Sequence, residues 1–183
     1  MVDEYRLAVI RGISGRKKRK LVEAAGSAAE VFKLTERQIQ QLQILTRPEQ
    51  EALSAGKTGD AQRDYETLIA RGIAFVSVGD VDYPARLSAL PDAPFGLYVR
   101  GRLPDKEKKQ VAIVGARMCS EYGRAAATEL GRQLASVGAG VISGMARGID
   151  TAGHAGALLG GGYTCAVLGC GVDVCYPSSN RSL

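Results

Sequence analysis

Two arginines lie in glycine-bearing segments that each follow a short apolar run. The segment GARMCSEYG (115–123) carries Arg117, and the segment SGMARGID (143–150) carries Arg147. A third such segment, GCGVDVCYP (169–177), follows the next apolar run. Glycine allows a ligand to approach the backbone closely, and the free amides at the start of a following helix attract anions. The three segments together predict a rim that binds phosphate groups.

The pattern differs from the known loops that bind nucleotide cofactors. A dinucleotide-binding loop reads GxGxxG, and an acidic residue at the end of the second strand holds the ribose. Here Arg117 stands where the second glycine belongs, and Ser143 and Gly144 end the second apolar run without a carboxylate. The P-loop pattern GxxxxGK[ST] does not occur in the chain. These departures disfavour NAD, and we predict no cofactor.

The chain offers few side chains for catalysis or metal binding. His154 is the only histidine, so a catalytic triad or a metallohydrolase site would depend on one imidazole. No CxxC pair occurs among the four cysteines, which are Cys119, Cys165, Cys170 and Cys175. Asp150 is expected to cap a helix, and His154 to pack within it. We therefore predict no catalytic residue, no metal site, no disulfide framework and no enzymatic activity.

Composition excludes several further classes of protein. The 183 residues include 24 basic and 19 acidic side chains, a mild excess that is compatible with an anionic partner. Aromatic residues make up only 5% and tryptophan is absent, which disfavours a broad base-stacking platform. No apolar run approaches the roughly 20 residues that cross a bilayer. The acidic N-terminus does not resemble a signal peptide, so no membrane contact and a cytoplasmic location are expected.

The first part of the chain, residues 1–72, is predicted to form a small domain of short helices. Ser27 with Glu30, and Thr35 with Gln38, have the spacing that starts a helix. The basic run RKKRK (16–20) follows a glycine turn, as in a helix-hairpin-helix, where such lysines hold a phosphate backbone. This run is either an auxiliary DNA contact or an ordinary solvated helix face.

From residue 73 to residue 183, short strands alternate with helices. The predicted strands are 73–78, 96–101, 110–115, 140–144 and 163–169, and the predicted helices are 120–137 and 150–159. The inward face of the first helix is expected to consist of Gly123, Ala127, Leu130, Leu134 and Val137. Alternation of this kind predicts an α/β fold with a parallel, doubly wound sheet, whose strand ends line the ligand crevice.

Three ordered motifs in this second part carry a family resemblance. They are VAIVGAR-x-x-S-x-x-G (111–123), SGMARGIDTAGHAGAL (143–158) and VLGCGVDVCYPSSN (167–180), and a YP-x-x-L and LY-x-x-G lead-in precedes them within 76–101. In this order and spacing they resemble the signatures of the DNA-processing protein A (DprA/Smf) family. The resemblance implies an extended Rossmann-like domain over 73–183, incomplete at its C-terminus, after a helical domain of the SAM or helix-hairpin-helix kind.

The resemblance also implies a function and a set of DNA-binding residues. Family members bind single-stranded DNA during natural transformation and recombination, protect the incoming strand, form homodimers and help to load RecA recombinase. The DNA backbone would lie against loops 115–117 and 143–148, with Arg117 as the principal phosphate ligand and Ser143 and Gly144 donating from hydroxyl and backbone. The remaining DNA-binding residues expected here are Gly115, Arg147, Gly148 and Arg181. Arg181 would replace the basic residue that many members carry where this chain has Ser178.

Two other functions and one departure from the family remain open. A Rossmann-like N-glycosidase acting on nucleoside monophosphates would need a carboxylate against the ribose, and no PGGxGT-type segment occurs here. In a third interpretation, the N-terminal helices recruit a protein partner. The chain stops at Leu183, before the family's later strands. We therefore expect either a fragment or a truncated product, with weak or lost dimerisation.

Overall fold

The computed structural model describes residues 1–183 and divides them into two compact units, 1–101 and 102–183. The sequence placed the division near residue 72, so the structure assigns 73–101 to the unit formed by the N-terminal helices. Aromatic packing accounts for the difference, because Tyr5 contacts Phe75 at 5.6 Å and Tyr98 at 6.4 Å between ring centroids. The strands that carry Phe75 and Tyr98 thus belong to the first unit.

Six short helices build most of the first unit. They are α1 (Val2–Val9), α2 (Gly15–Ala25), α3 (Ala28–Lys33), α4 (Glu36–Leu42), α5 (Arg47–Ala55) and α6 (Ala61–Ala70), with a 3-10 turn at Gly56–Thr58. The predicted helix starts are confirmed: the Ser27 hydroxyl accepts from Glu30 N at 3.1 Å, and Thr35 and Gln38 form a capping box. The fully buried core side chains are Leu7, Leu21, Val31, Ile39 and Leu53. No helix in the structure is both long and apolar enough to cross a membrane.

Two strands complete the first unit as an antiparallel pair. β1 (Ile73–Ser77) pairs with β2 (Gly96–Arg100), with Ile73 opposite Arg100 and Ser77 opposite Gly96. The expectation that these strands join the parallel sheet is wrong. The connection between them contains only one short helix, α7 (Ala85–Ser88), whereas parallel neighbours need a full crossover.

The second unit contains the parallel sheet and two helices. The strands β3 (Gln110–Ala112), β4 (Gly140–Ser143) and β5 (Thr164–Ala166) lie in that order, joined by α8 (Glu121–Ser136) and α9 (Ile149–Leu159). The predicted parallel α/β arrangement is therefore confirmed. Ile113 and Val141 share one sheet face and pack with Ala127 of α8 and Ala152 of α9. Both helices thus cover the same face, and residues 102–183 do not form a doubly wound sheet.

Small residues make the contact between α8 and α9. The buried positions of α8 are Ala127, Gly131 and Ala135. A Cβ at Gly131 would lie 2.5 Å from the carbonyl oxygen of Gly153, so the two helices approach at backbone distance. The predicted inward face of α8 is wrong at Leu130 and Val137, which are 55% and 77% exposed, and is confirmed at Ala127 and Leu134, which pack in the core. Close helix packing selects the small side chains in place of the large ones.

Candidate functional site

The carboxyl ends of the three parallel strands surround one cavity of about 880 Å³. Three segments supply its walls: the first loop (residues 113–120), the second loop (144–148) and the third segment (167–183). The lining residues are Arg117, Met118, Gly144, Ala146, Arg147, Leu168, Gly169, Cys170, Cys175, Tyr176, Pro177 and Ser178. Because parallel strands end at the same edge of a sheet, residues distant in sequence meet here.

Arg117 and Arg147 both line this cavity, as the sequence predicted. Both side chains are exposed, and neither forms an ion pair. No aspartate or glutamate is among the lining residues. Two guanidinium groups without an ion-pair partner are therefore free to bind an anion in the cavity, and guanidinium geometry suits phosphate oxygens.

Asp150 occupies the backbone donors of the second loop. Its Oδ2 accepts from Gly144 N at 3.1 Å and from Ala146 N at 3.4 Å. Asp150 is buried and stands in the first turn of α9, where the helix dipole favours a negative charge. The predicted backbone donor at Gly144 is thus already used within the protein, by an internal carboxylate where a ligand anion would otherwise bind.

Ser143 is likewise occupied within the fold. It is only 3% exposed, and its hydroxyl donates to the carbonyl oxygen of Ile113 at 2.6 Å. This bond ties the end of β4 to the first loop. The hydroxyl proton predicted to serve a phosphate is therefore committed to a backbone partner, and Ser143 holds two walls of the cavity together.

Two glycines of the predicted site bring the loops together and do not line the cavity. A Cβ at Gly148 would lie 2.3 Å from Ala116 O and 2.6 Å from Arg117 O, and Gly148 has a φ of +81°. A Cβ at Gly115 would lie 2.8 Å from Cγ1 of Ile149. Glycine is needed here so that the first loop can pack against the start of α9. Arg117 is positioned by this close packing of backbone on backbone.

The third segment contributes a buried polar residue that the sequence reasoning missed. Asn180 is 7% exposed, and its Nδ2 donates to Met145 O and to Thr151 Oγ1, each at 2.8 Å. The signal in the sequence was that Asn180 is the last residue of the motif 167–180. A buried amide needs hydrogen-bond partners, and those of Asn180 lie elsewhere in the chain. Arg181 follows in the chain, is exposed and does not line the cavity. Neither residue lines the cavity: Asn180 supports the second loop from behind, and Arg181 is exposed outside it.

His154 of α9 is buried and contacts Thr164, the first residue of β5. Thr164 donates its hydroxyl to Val141 O at 2.9 Å, so its oxygen accepts from His154 Nδ1 at 2.6 Å. Nε2 is buried without a partner. Burial lowers the pKa of His154 below its usual value, and the nearby Asp150 carboxylate only partly opposes this. His154 is therefore a neutral packing residue, consistent with the structural role that the sequence suggested.

Most side chains of the basic run 16–20 form contacts within the first unit. Lys17 Nζ pairs with Glu49 Oε2 at 2.6 Å, and the buried Lys18 donates to Ala8 O and Ile10 O at 2.6 and 2.8 Å. Burial lowers the pKa of Lys18 to about 8. Arg19 donates to the carbonyl oxygens of Ser88, Leu90 and Pro91. Only the two outer side chains of the run, Arg16 and Lys20, are exposed, which weakens the prediction of an auxiliary DNA contact.

Comparison with known sequences identifies relatives of the second half of the chain. Residues 74–183 match the family model described as DNA recombination-mediator protein A. The chain is 42% identical over 107 residues to the DNA processing protein DprA of Streptococcus pneumoniae, which covers 58% of this chain and 38% of that protein. It is 38% identical over 113 residues to protein Smf of a Synechocystis species, covering 60% of this chain and 28% of that protein. The chain thus spans well under half the length of these relatives.

Two solved structures are similar to the chain. The X-ray structure of DNA processing protein A from Streptococcus pneumoniae matches all of this chain and 62% of that one, with a TM-score of 0.80 and 28% identity. The protein of the same name from Helicobacter pylori, whose structure is described in terms of its single-stranded DNA binding mode, matches 60% of this chain and 48% of that one, with a TM-score of 0.50 and 28% identity.

Proposed function

Because the chain belongs to the DNA recombination-mediator protein A (DprA/Smf) family, we propose that it binds single-stranded DNA at the cavity around Arg117 and Arg147. One observation carries the proposal: two exposed arginines without counter-ions line the same cavity at the ends of adjacent strands. Contacts of this kind hold the sugar-phosphate backbone and are independent of base sequence. The Helicobacter pylori relative, which binds single-stranded DNA, supports the same ligand class.

The residues of the predicted site divide into two roles under this proposal. Arg117 and Arg147 contact phosphates directly. Gly115, Ser143, Gly144 and Gly148 act through the loops, because their donors or close contacts are used within the protein. Arg181 is exposed in the third segment and adds charge near the DNA path without lining the cavity.

The arrangement favours a binding function over an N-glycosidase. Cleavage of a glycosidic bond would need a carboxylate against the ribose. The cavity has no carboxylate in its lining, and Asp150 is turned toward the amides of Gly144 and Ala146. We therefore propose a protein without enzymatic activity at this site.

We extend the proposal to the role of the whole protein. As a recombination mediator in the cytoplasm, it would protect the incoming strand during natural transformation and help to load RecA. Its longer relatives would act as homodimers. The family membership supports these assignments, while the cavity itself accounts only for the contact with DNA.

The test is a comparison of two arginine variants that change the net charge equally. Arg117→Ala is expected to weaken binding of a mixed-sequence oligonucleotide about tenfold and to make its salt dependence shallower. Arg132→Ala is the control, since Arg132 pairs with Glu129 on α8 at 2.6 Å and lies outside the cavity lining. Equal affinities for the two variants in fluorescence anisotropy would refute the proposed site.

A further inference from the structure

The second loop contains a residue in an unfavourable backbone conformation. Met145 has a φ of +63°, which is uncommon for a residue with a side chain. Such a conformation persists only where surrounding contacts determine it, and it occurs often at binding sites. Met145 lies two residues before Arg147, so the backbone conformation at Met145 determines the position of Arg147.

Contacts from three side chains hold the peptide group that follows Met145 and the neighbouring backbone groups of Gly144 and Ala146. Asp150 accepts from Gly144 N and Ala146 N, as described above. Thr151 donates its hydroxyl to Ala146 O at 2.6 Å. Asn180 donates to Met145 O at 2.8 Å. The hydroxyl of Thr151 also accepts from Asn180 at 2.8 Å, which joins these bonds into one half-buried network.

Asn180 is the one member of this network that comes from outside the second loop and α9. Asp150 and Thr151 are in α9 itself, directly after the loop. Asn180 belongs to the third segment, and both hydrogens of its Nδ2 are used in the network. A hydrophobic residue of the same size would fill the space but leave Met145 O without a donor. The third segment therefore supplies, through Asn180, the one hydrogen bond to Met145 O.

We infer that Asn180 is a positioning residue that couples the third segment to Arg147. By holding Met145 O and the Thr151 hydroxyl, it keeps the second loop ready to present Arg147 to a phosphate. The loop is then already ordered in the folded protein, so the binding free energy is not reduced by the cost of ordering it. The inference rests on the proposed function for its ligand, a single-stranded nucleic acid, and on the structure alone for the coupling.

The first measurement tests the coupling without any nucleic acid. In the full chain, Asn180→Leu is expected to raise the hydrogen-exchange rate of the Ala146 and Gly144 amides at least about tenfold, since the loop loses its external restraint. Thr151→Val removes the hydroxyl and should have the same effect, whereas Thr151→Ser keeps the hydroxyl and should restore the wild-type rate. Unchanged exchange in Asn180→Leu would overturn the inference. If Asn180→Leu does not fold, Asn180→Ala decides, since it removes the amide and leaves the bond of Thr151 to Ala146 O in place.

The second measurement asks whether the coupling acts through Arg147. Asn180→Leu should weaken oligothymidylate binding about fivefold in the wild-type background and have almost no effect when Arg147→Ala is already present. A residue with a merely structural role would lower the affinity equally in both backgrounds, and that additive result would contradict the inference. If the wild-type protein does not bind the oligonucleotide, the proposed function fails, and the exchange measurement still decides whether Asn180 holds the loop.

Discussion

The basic run of the first unit and the arginine pair of the second unit use positive charge in opposite ways. Residues 16–20 contain five basic side chains in succession, and three of them are bound to a carboxylate or to carbonyl oxygens of the same unit. Arg117 and Arg147 are thirty residues apart in the sequence, yet both are exposed at one cavity without a partner. Three of the five basic groups in the denser cluster are thus bound, whereas both arginines of the cavity are free.

The difference shows that a binding surface is identified by basic side chains without a partner inside the protein, and not by the number of basic residues in succession. A lysine that satisfies the last carbonyls of a helix contributes to folding and has little left to offer a ligand. Arg117 and Arg147, in the loops that follow β3 and β4, have no such internal partner.

The largest effect is expected for Gly148→Ala, which attacks the close packing behind Arg117. A methyl group would meet Ala116 O at 2.3 Å, and alanine is strained at a φ of +81°. We expect a loss of about 3 kcal/mol in the free energy of unfolding, measured by urea denaturation. Gly169→Ala is the control, since a Cβ there meets nothing within 4 Å. Comparable stability of the two variants would contradict the proposed reason for glycine at residue 148.

The next effect concerns DNA binding by the two kinds of charge. Removing both Arg117 and Arg147 is expected to weaken oligonucleotide binding about a hundredfold and to make the salt dependence shallower by about 1.4, as for two single-strand phosphate contacts. Removing both Arg16 and Lys20 deletes the same charge and should change the affinity by at most about twofold. An equal loss from the two double variants would mean that total charge governs binding, and the contrast would fail.

Lys18→Met should weaken the first unit and leave the second unchanged. The substitution leaves Ala8 O and Ile10 O without the donor that now binds them, at a cost of about 2 kcal/mol in the free energy of unfolding. Lys20→Met, at an exposed position of the same helix, is the control and should change stability little. Oligonucleotide affinity at neutral pH should be unchanged in both variants. A strong loss of affinity in Lys18→Met alone would give the buried lysine a role in binding.

The smallest effect is the contribution of His154 to the dependence of stability on pH. Burial lowers the pKa of His154 in the folded state below the ordinary value of 6.5, so the unfolded chain takes up the proton first as the pH falls. The stabilising contribution of the neutral imidazole is complete above that value and is lost as the pH decreases below it. The loss cannot exceed about 1.4 kcal/mol per pH unit for one proton. His154→Gln should show a flatter stability profile in denaturation between neutral pH and about pH 5; an identical profile would contradict the shift.

Local patterns predicted much of the fold correctly. Helix starts at Ser27 and Thr35 depend on short-range bonds between residues three apart, and both are found as expected. The parallel strands β3, β4 and β5 were also found, because a buried strand is a short apolar run. The direction of β2 was not predictable in the same way. It follows from the pairing of β2 with β1 in the first unit, where Tyr98 of β2 also packs on Tyr5, more than ninety positions away in the chain.

The arginines of the site could be found in the sequence, while their supporting contacts could not. Arg117 and Arg147 stand in glycine-rich segments after apolar runs, which is a local signal. The bonds of Ser143 to Ile113 and of Asn180 to Met145 join residues that are 30 and 35 positions apart. Polar residues at strand ends look alike in a sequence whether they face a ligand or a neighbouring backbone. Only the three-dimensional arrangement shows that Ser143 and Gly144 are already bonded within the protein.

The carboxylate of Asp150 also bears on which anions the protein can accept. It occupies the amides of Gly144 and Ala146. Free backbone amides of this kind bind a single phosphate group in mononucleotide-binding proteins. A free nucleotide then lacks these two backbone donors, whereas a strand with many phosphates can engage both arginines at once and gain from multivalency. Under the proposed function, this internal anion favours the polymer over the pool of free nucleotides that surrounds it in a cell.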